Sequence, residues 1–172
     1  IDEGIDTGAI IAKSYYTVPD KGYPIDIFKA RLDTFHDVLI KGLKNLENDD
    51  FIPEKQSLNE STTFPRLYTP RDGKIDFNKF SGEEVIRFVY AFGFPFQGAS
   101  CKMGDKTINI LKAEFHNDIT FHSFATGLIF GKNKKNEYKI SVKDGYILIK
   151  EIEFDGLSIK QSMVFRLGKT LN

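Results

Sequence analysis

Tryptophan is absent, methionine occurs twice and cysteine once, which restricts the chemistry before any motif is read. Cys101 has no partner for an internal disulfide and no second thiol with which to hold a metal. It is expected to be a small core residue in a protein of a reducing, cytoplasmic compartment. Histidine is also scarce. His116 and His122 lie six residues apart with no cysteine or acidic partner at ligand spacing, so no metal site is expected. His36 sits beside an apolar helical stripe and reads as a partly exposed helix residue. No apolar run approaches the roughly 20 residues that a membrane-spanning helix needs, so no membrane partner is expected. The sequence starts at Ile1 with neither a methionine nor a signal-peptide pattern, which predicts a partial or trimmed polypeptide.

The formal net charge is zero, but it is unevenly spread. Residues 1–60 hold 7 Lys+Arg against 12 Asp+Glu, whereas residues 61–172 hold 17 against 12. The second part is therefore mildly basic. Such an excess suits an anionic acceptor such as a nucleotide or an RNA backbone. It suits a lysine-rich solvated surface equally well, and composition alone favours that plainer reading.

The opening stretch IDEGIDTG places Asp2, Glu3 and Asp6 beside Gly4 and Gly8, a composition that forms a loop and needs solvent or donors around its charge. By spacing alone it is a solvated turn. It is not a calcium loop, because the downstream ligands of that motif are missing. The next stretch, AIIAKSYYTV, is rich in β-branched and aromatic residues and predicts a strand over 9–18. From Tyr23 to Glu47 the period becomes helical, with Phe28, Leu32, Phe35, Leu39, Leu43 and Leu46 on one stripe. Pro24 and Asp26 suit its first turn. Residues 48–61 have the composition of a linker, and Pro65, Pro70 and Asp72-Gly73 argue for an extended connector that ends in a turn. Ser81 and Glu84 then form a capping box ahead of a short helix over 82–92 with Val85, Phe88, Val89 and Phe92 as its apolar face. Beyond Gln97 come SCKM, TINILKA, ITFHSFATGLIFG, YKISV and YILIKEIEF, short runs separated by Gly, Asp and Asn signals. They predict a small closed or half-open barrel. Phe115, Phe121, Phe124 and Phe130 could stack on nucleobases, but a barrel of this size needs aromatic filling, and core packing is the favoured reading.

The string Asp6-Thr7-Gly8, preceded by Ile1-Asp2-Glu3-Gly4 and followed by Ala9-Ile10-Ile11, resembles the D-x-G-x-D-T-G-x-I segment of the folate-dependent formyltransferases. TFPRLYTPRDGKIDF, Thr63 to Phe77, is similar to that family's T-P-x-D-G-x-I-D-W linker, with Phe77 in place of the tryptophan. Ala91 to Ala99, AFGFPFQGA, is similar to the exit of the equivalent family helix. The resemblance implies an α+β chain made of the end of a formyltransferase α/β catalytic domain (a strand plus a long helix), a linker, and a C-terminal OB-like β-barrel. The corresponding ranges are 1–47, 48–65 and 66–172.

It further implies 10-formyltetrahydrofolate as co-substrate, Asp6 as the catalytic aspartate, and Ile1, Asp2, Glu3 and Gly4 as folate-binding through the main chain. The N-x-H pair that works with the aspartate in that family is absent, since the residues two before His36, His116 and His122 are Thr34, Glu114 and Thr120. The chain by itself is therefore expected to be inactive. Phe121 to Lys132, FHSFATGLIFGK, and Thr62 to Leu67 resemble the sugar-nucleotide N-formyltransferase branch, which favours a nucleotide-linked amino sugar as acceptor over methionyl-tRNA. A nucleic-acid- or protein-binding OB-like module is the competing class. The apolar stripe of the long helix adds the expectation of docking or homodimerisation.

Overall fold

The computed structural model describes residues 3–57, 59, 61–69 and 71–172, so Ile1, Asp2, Leu58, Glu60 and Pro70 lie outside the described residues. The chain forms two compact units, one of residues 1–20 and 26–66, the other of 21–25 and 67–172.

The first unit is built on α1 (Pro24–Leu46), which starts at Pro24 and carries Asp26 in its first turn, as the dipole favours. None of its residues is buried. The predicted strand over 9–18 does not form. Ile10 alone pairs, antiparallel, with Glu54. A β-rich sequence becomes a strand only when a neighbouring strand receives its N–H and C=O groups, and among the described residues Glu54 is the extent of that partner. The side chain of Asn45 on α1 donates to the Ile11 carbonyl at 2.9 Å, which holds this irregular segment against the helix.

The second unit contains α2 (Gly82–Ala91) and six strands: β1 (Ala99–Met103), β2 (Lys106–His116), β3 (Ile129–Lys132), β4 (Tyr138–Val142), β5 (Gly145–Phe154) and β6 (Leu157–Ser158). Ser81 caps α2, its hydroxyl accepting from the Glu84 N–H while the Glu84 carboxylate accepts from the Ser81 N–H, so the predicted capping box is present. Val85, Ile86 and Val89 are buried against a core that includes Ile75, Phe77, Ile108, Ile110, Ile147 and Phe165. At Gly82 the helix start approaches β2 so closely that a Cβ would overlap the Phe115 ring, which explains a glycine there. Cys101 is fully buried, as expected, and burial pushes its thiol up to about 12.

All strand pairs are antiparallel, in the order β1-β2-β5-β4-β3, with β6 added to β5. The strands do not close into a barrel, where the turn spacing allowed a closed or half-open one and the resemblance implied an OB-like one. The reason lies in 117–128. This stretch reads as part of a long strand but forms a loop with a 3₁₀ turn at Ser123–Ala125, leaving β3 only four residues long. Gly127 sits there at φ 76°, where any Cβ would meet the Leu171 carbonyl oxygen at 2.6 Å. The two sheet edges are instead covered by the C-terminal segment. Lys102 and Asn172 exchange backbone hydrogen bonds of 2.6 and 2.9 Å, and the Ile129 N–H donates to the Lys169 carbonyl at 2.9 Å. Such covering satisfies edge groups without strand-to-strand closure.

Phe124 corrects a second expectation. It is 85% exposed rather than core, because the 3₁₀ turn carries it outward, while Phe115, Phe121 and Phe130 are half-buried.

Candidate active-site loop

The acidic stretch folds as a loop whose centre, Asp6, has φ 55°. Left-handed backbone costs a non-glycine residue about 1–2 kcal/mol, and aspartate is among the side chains that tolerate it. Gly4 shows how tightly the loop turns, since a Cβ there would overlap the Thr7 side chain.

Residues 54–56 hold this loop from the side. The Ile10 N–H donates to the Glu54 carbonyl at 2.8 Å and the Glu54 N–H returns the bond at 3.0 Å. Two residues further along, where an antiparallel ladder would continue, the side chain of Gln56 takes over. Its Nε2 donates to the Asp6 carbonyl at 2.9 Å and to the Gly8 carbonyl at 2.7 Å. Net hydrogen bonds of this kind contribute about 0.5–1.5 kcal/mol each, enough together to offset the backbone cost at Asp6. Lys13 pairs with the Glu54 carboxylate at 2.7 Å, and that hydrogen bond raises its pKa against the opposing effect of burial. The pair is half-exposed and adds little stability.

A cavity of about 950 Å³ opens between the Asp6 loop and the returning chain. Asp6, Thr7, Gln56, Ser57, Thr62 and Thr63 supply polar groups to its wall, and Ile5, Ile10 and Phe64 supply apolar ones. The wall thus mixes hydrogen-bonding and apolar groups. Among the predicted site residues, Asp6 lines the cavity. Glu3 and Gly4 are exposed and do not line it, while Ile1 and Asp2 lie outside the described residues. Gln56 is the participant that local sequence reading misses, because its role depends on residues 48 and 50 positions away. The signal was its place beside Glu54 in a stretch whose composition reads as a linker.

The arrangement offers one carboxylate on a clamped, strained loop beside a solvent-open pocket. A carboxylate so placed can accept from an N–H, hold a ring tautomer or stabilise a cation, but when ionised it only accepts hydrogen bonds and so cannot act as an oxyanion donor. His36, the one histidine of this unit, is exposed and contacts Asp37 at 3.4 Å. No group of three His, Cys, Asp or Glu that could hold a metal occurs among the described residues.

Residues 68–165 match the family described as "Formyl transferase, C-terminal domain". The chain belongs to that family. The match covers the second unit almost entirely, so the open antiparallel sheet with α2 is this family's C-terminal domain. Nearly the whole chain is also similar to curated relatives. A methionyl-tRNA formyltransferase of Rickettsia bellii is 30% identical over 170 residues, 98% of this chain and 52% of the relative. One of Lachnospira eligens is 28% identical over 174 residues, 99% of this chain and 54% of the relative. The chain thus spans about half the length of these relatives. In fold, it is similar to HypX of Aquifex aeolicus solved in complex with tetrahydrofolic acid, with a TM-score of 0.66 at 19% identity, covering 95% of this chain and 28% of that one. The names of these relatives give no support to the amino-sugar preference drawn from Phe121 to Lys132. They agree with the alternative, methionyl-tRNA.

Proposed function

We propose that this chain works as part of a methionyl-tRNA formyltransferase, which moves a formyl group from 10-formyltetrahydrofolate to the amine of methionyl-tRNA in the cytoplasm. The observation that carries the reading is similarity over almost the entire chain, Asp6 loop included, to enzymes of that name. Two features of the molecule support it. The cavity beside Asp6 has the size and mixed lining for a folate head group. The excess of 17 Lys+Arg over 12 Asp+Glu in residues 61–172 suits a polyanionic acceptor.

In the reaction, the methionyl amine attacks the formyl carbon, the carbonyl oxygen becomes an oxyanion, and the bond from that carbon to the folate nitrogen breaks. The attacking nitrogen loses one proton and the folate nitrogen gains one. Asp6 is proposed to orient the proton-carrying histidine and to stabilise its charged form, a role that a carboxylate plays in other acyl-transfer sites. That histidine and its neighbouring asparagine are not in this sequence, so the isolated chain should not catalyse transfer.

In the full-length protein carrying this sequence, Asp6→Asn should lower turnover by about a hundredfold to ten-thousandfold, the range of general acid–base groups. Folate affinity should change much less. Asp2→Asn and Glu3→Gln should cost far less than Asp6→Asn. The assay is formyl transfer from 10-formyltetrahydrofolate to methionyl-tRNA and, in parallel, to a nucleotide-linked amino sugar. Wild-type turnover in the Asp6→Asn variant would remove the catalytic role, and transfer confined to the sugar would remove the proposed acceptor.

A further inference from the structure

We propose that Gln56 is a positioning residue of the transfer reaction, acting through Asp6 by means of a two-pronged amide clamp. The proposal rests on the catalytic role of Asp6 given above. Gln56 has two amide protons, and the structure accounts for both: one goes to the Asp6 carbonyl at 2.9 Å and one to the Gly8 carbonyl at 2.7 Å. These two carbonyls flank Thr7, so the clamp holds the turn at Asp6, which carries the carboxylate, and again at Gly8. Main-chain pairing is already used up two residues away, in the reciprocal Ile10 and Glu54 bonds of 2.8 and 3.0 Å. The next rung would pair Gly8 with Gln56, and there the Gln56 side chain, not its main chain, donates to the Gly8 carbonyl. A side-chain amide is then the group that can reach both carbonyls, and it needs the length of glutamine to do so.

Gln56 also lines the same cavity as Asp6, yet its protons point at backbone rather than at the open space. Its effect on a ligand is therefore indirect. Losing the clamp frees Asp6 to leave its turn, and a displacement of about 1 Å at a reacting group costs on the order of a hundredfold in rate.

The test uses the full-length protein and four variants: Gln56→Met, Gln56→Glu, Asp6→Asn and Asp6→Asn combined with Gln56→Met. Methionine keeps the volume without the donors. Glutamate keeps the shape but turns a carboxylate toward two carbonyls. Both single Gln56 variants should lose about tenfold to a hundredfold in kcat, while KM for 10-formyltetrahydrofolate changes by less than about threefold. In the Asp6→Asn background, Gln56→Met should cost less than about threefold more, because residues that act through one another are not additive. Amide exchange over residues 6–10 should quicken in Gln56→Met, with exchange in β2 and β5 unchanged.

If Asp6→Asn is crippled while both Gln56 variants keep wild-type kcat, the clamp proposal alone fails. It fails likewise if Gln56→Met and Asp6→Asn losses multiply in full, or if KM rises with kcat intact, which would make Gln56 a binding group. Wild-type turnover in Asp6→Asn would instead bring down the catalytic reading, and the clamp with it. Should one Gln56 variant not fold, the other carries the same comparison.

Discussion

The two α-helices among the described residues carry similar apolar stripes and meet different fates. On α2, Val85 and Val89 are buried, and the Phe88 ring meets that of the C-cap residue Phe92 at 5.3 Å in a tilted contact. On α1, Phe28, Leu32, Phe35, Leu39, Leu43 and Leu46 are all between 46% and 59% exposed. Each stripe has the same period, so the period cannot be what separates them. The difference is the surface on offer. α2 faces an antiparallel sheet whose inner residues form one core, whereas α1 meets the irregular segment 9–12, which lacks a ladder of its own. An amphipathic pattern determines which face a helix will bury, and its neighbours determine whether the burial happens.

The largest way to test this contrast is to cut a large side chain from each unit. Phe77, 1% exposed, lies in the core of the second unit. Phe77→Ala should destabilise that unit by about 3–5 kcal/mol, the usual cost of a buried aromatic and its cavity. Leu39→Ala on α1 should cost about 1 kcal/mol or less, since half of that side chain is already in water. Denaturant unfolding of both variants, followed by tertiary-structure signals from the tyrosines, measures the difference. Equal costs would mean that α1 is packed as tightly as α2.

This contrast also explains what could be read from the sequence. α1, α2, the capping box at Ser81, the buried Cys101 and the strand hairpins were legible because each follows from residues within one or two turns of one another. The failures were non-local. Ala9 to Val18 had strand composition but no partner beyond Glu54. Phe121 to Gly131 had strand composition, but the left-handed Gly127 and the returning Leu171 segment break it. Covering of both sheet edges by Lys169 and Asn172 needs contacts across tens of residues, and no local pattern announces it. At the site, Asp6 stood out only through the family resemblance, since by spacing alone its loop reads as a solvated turn, while Gln56 stands in a stretch without periodicity.

A second test, smaller in energy, bears on the exposed stripe itself. A row of six large apolar side chains along one helix exceeds the scattered single residues that an ordinary soluble surface shows. The isolated chain should therefore bind a hydrophobic fluorescent dye and elute earlier than a monomer on size exclusion. Replacing Leu32 and Leu39 together by lysine should abolish the dye signal and leave the stability of the second unit within about 0.5 kcal/mol of wild type. Undiminished dye binding would place the exposed apolar surface elsewhere.

The smallest effect sharpens the α2 side of the comparison, and its sign follows from the cap. Glu84 has its pKa lowered, first by the hydrogen bond from the Ser81 N–H and then by that from the Ser81 hydroxyl. Asp72 is lowered to about 2, chiefly by the Arg71 side chain and then by the Tyr68 N–H. A carboxylate whose folded pKa is depressed binds its proton more weakly in the folded state. Its stabilisation is present above the unfolded pKa and disappears as pH falls through the folded one. For Asp72 that window runs from the ordinary 3.8 down to about 2; for Glu84 it opens below the ordinary 4.5. Ser81→Ala removes the cap donor and acceptor at once and should cost about 1 kcal/mol at neutral pH. Glu84→Gln keeps an oxygen to accept from the Ser81 N–H but has no proton to gain. It should therefore be somewhat less stable than wild type at pH 7, where the charge contributes, and lose less stability than wild type on acidification. The measurement is the denaturation midpoint of wild type, Ser81→Ala and Glu84→Gln at steps between neutral pH and pH 3. An acid slope in Glu84→Gln as steep as that of wild type would show that the cap on α2 contributes through shape alone and not through charge.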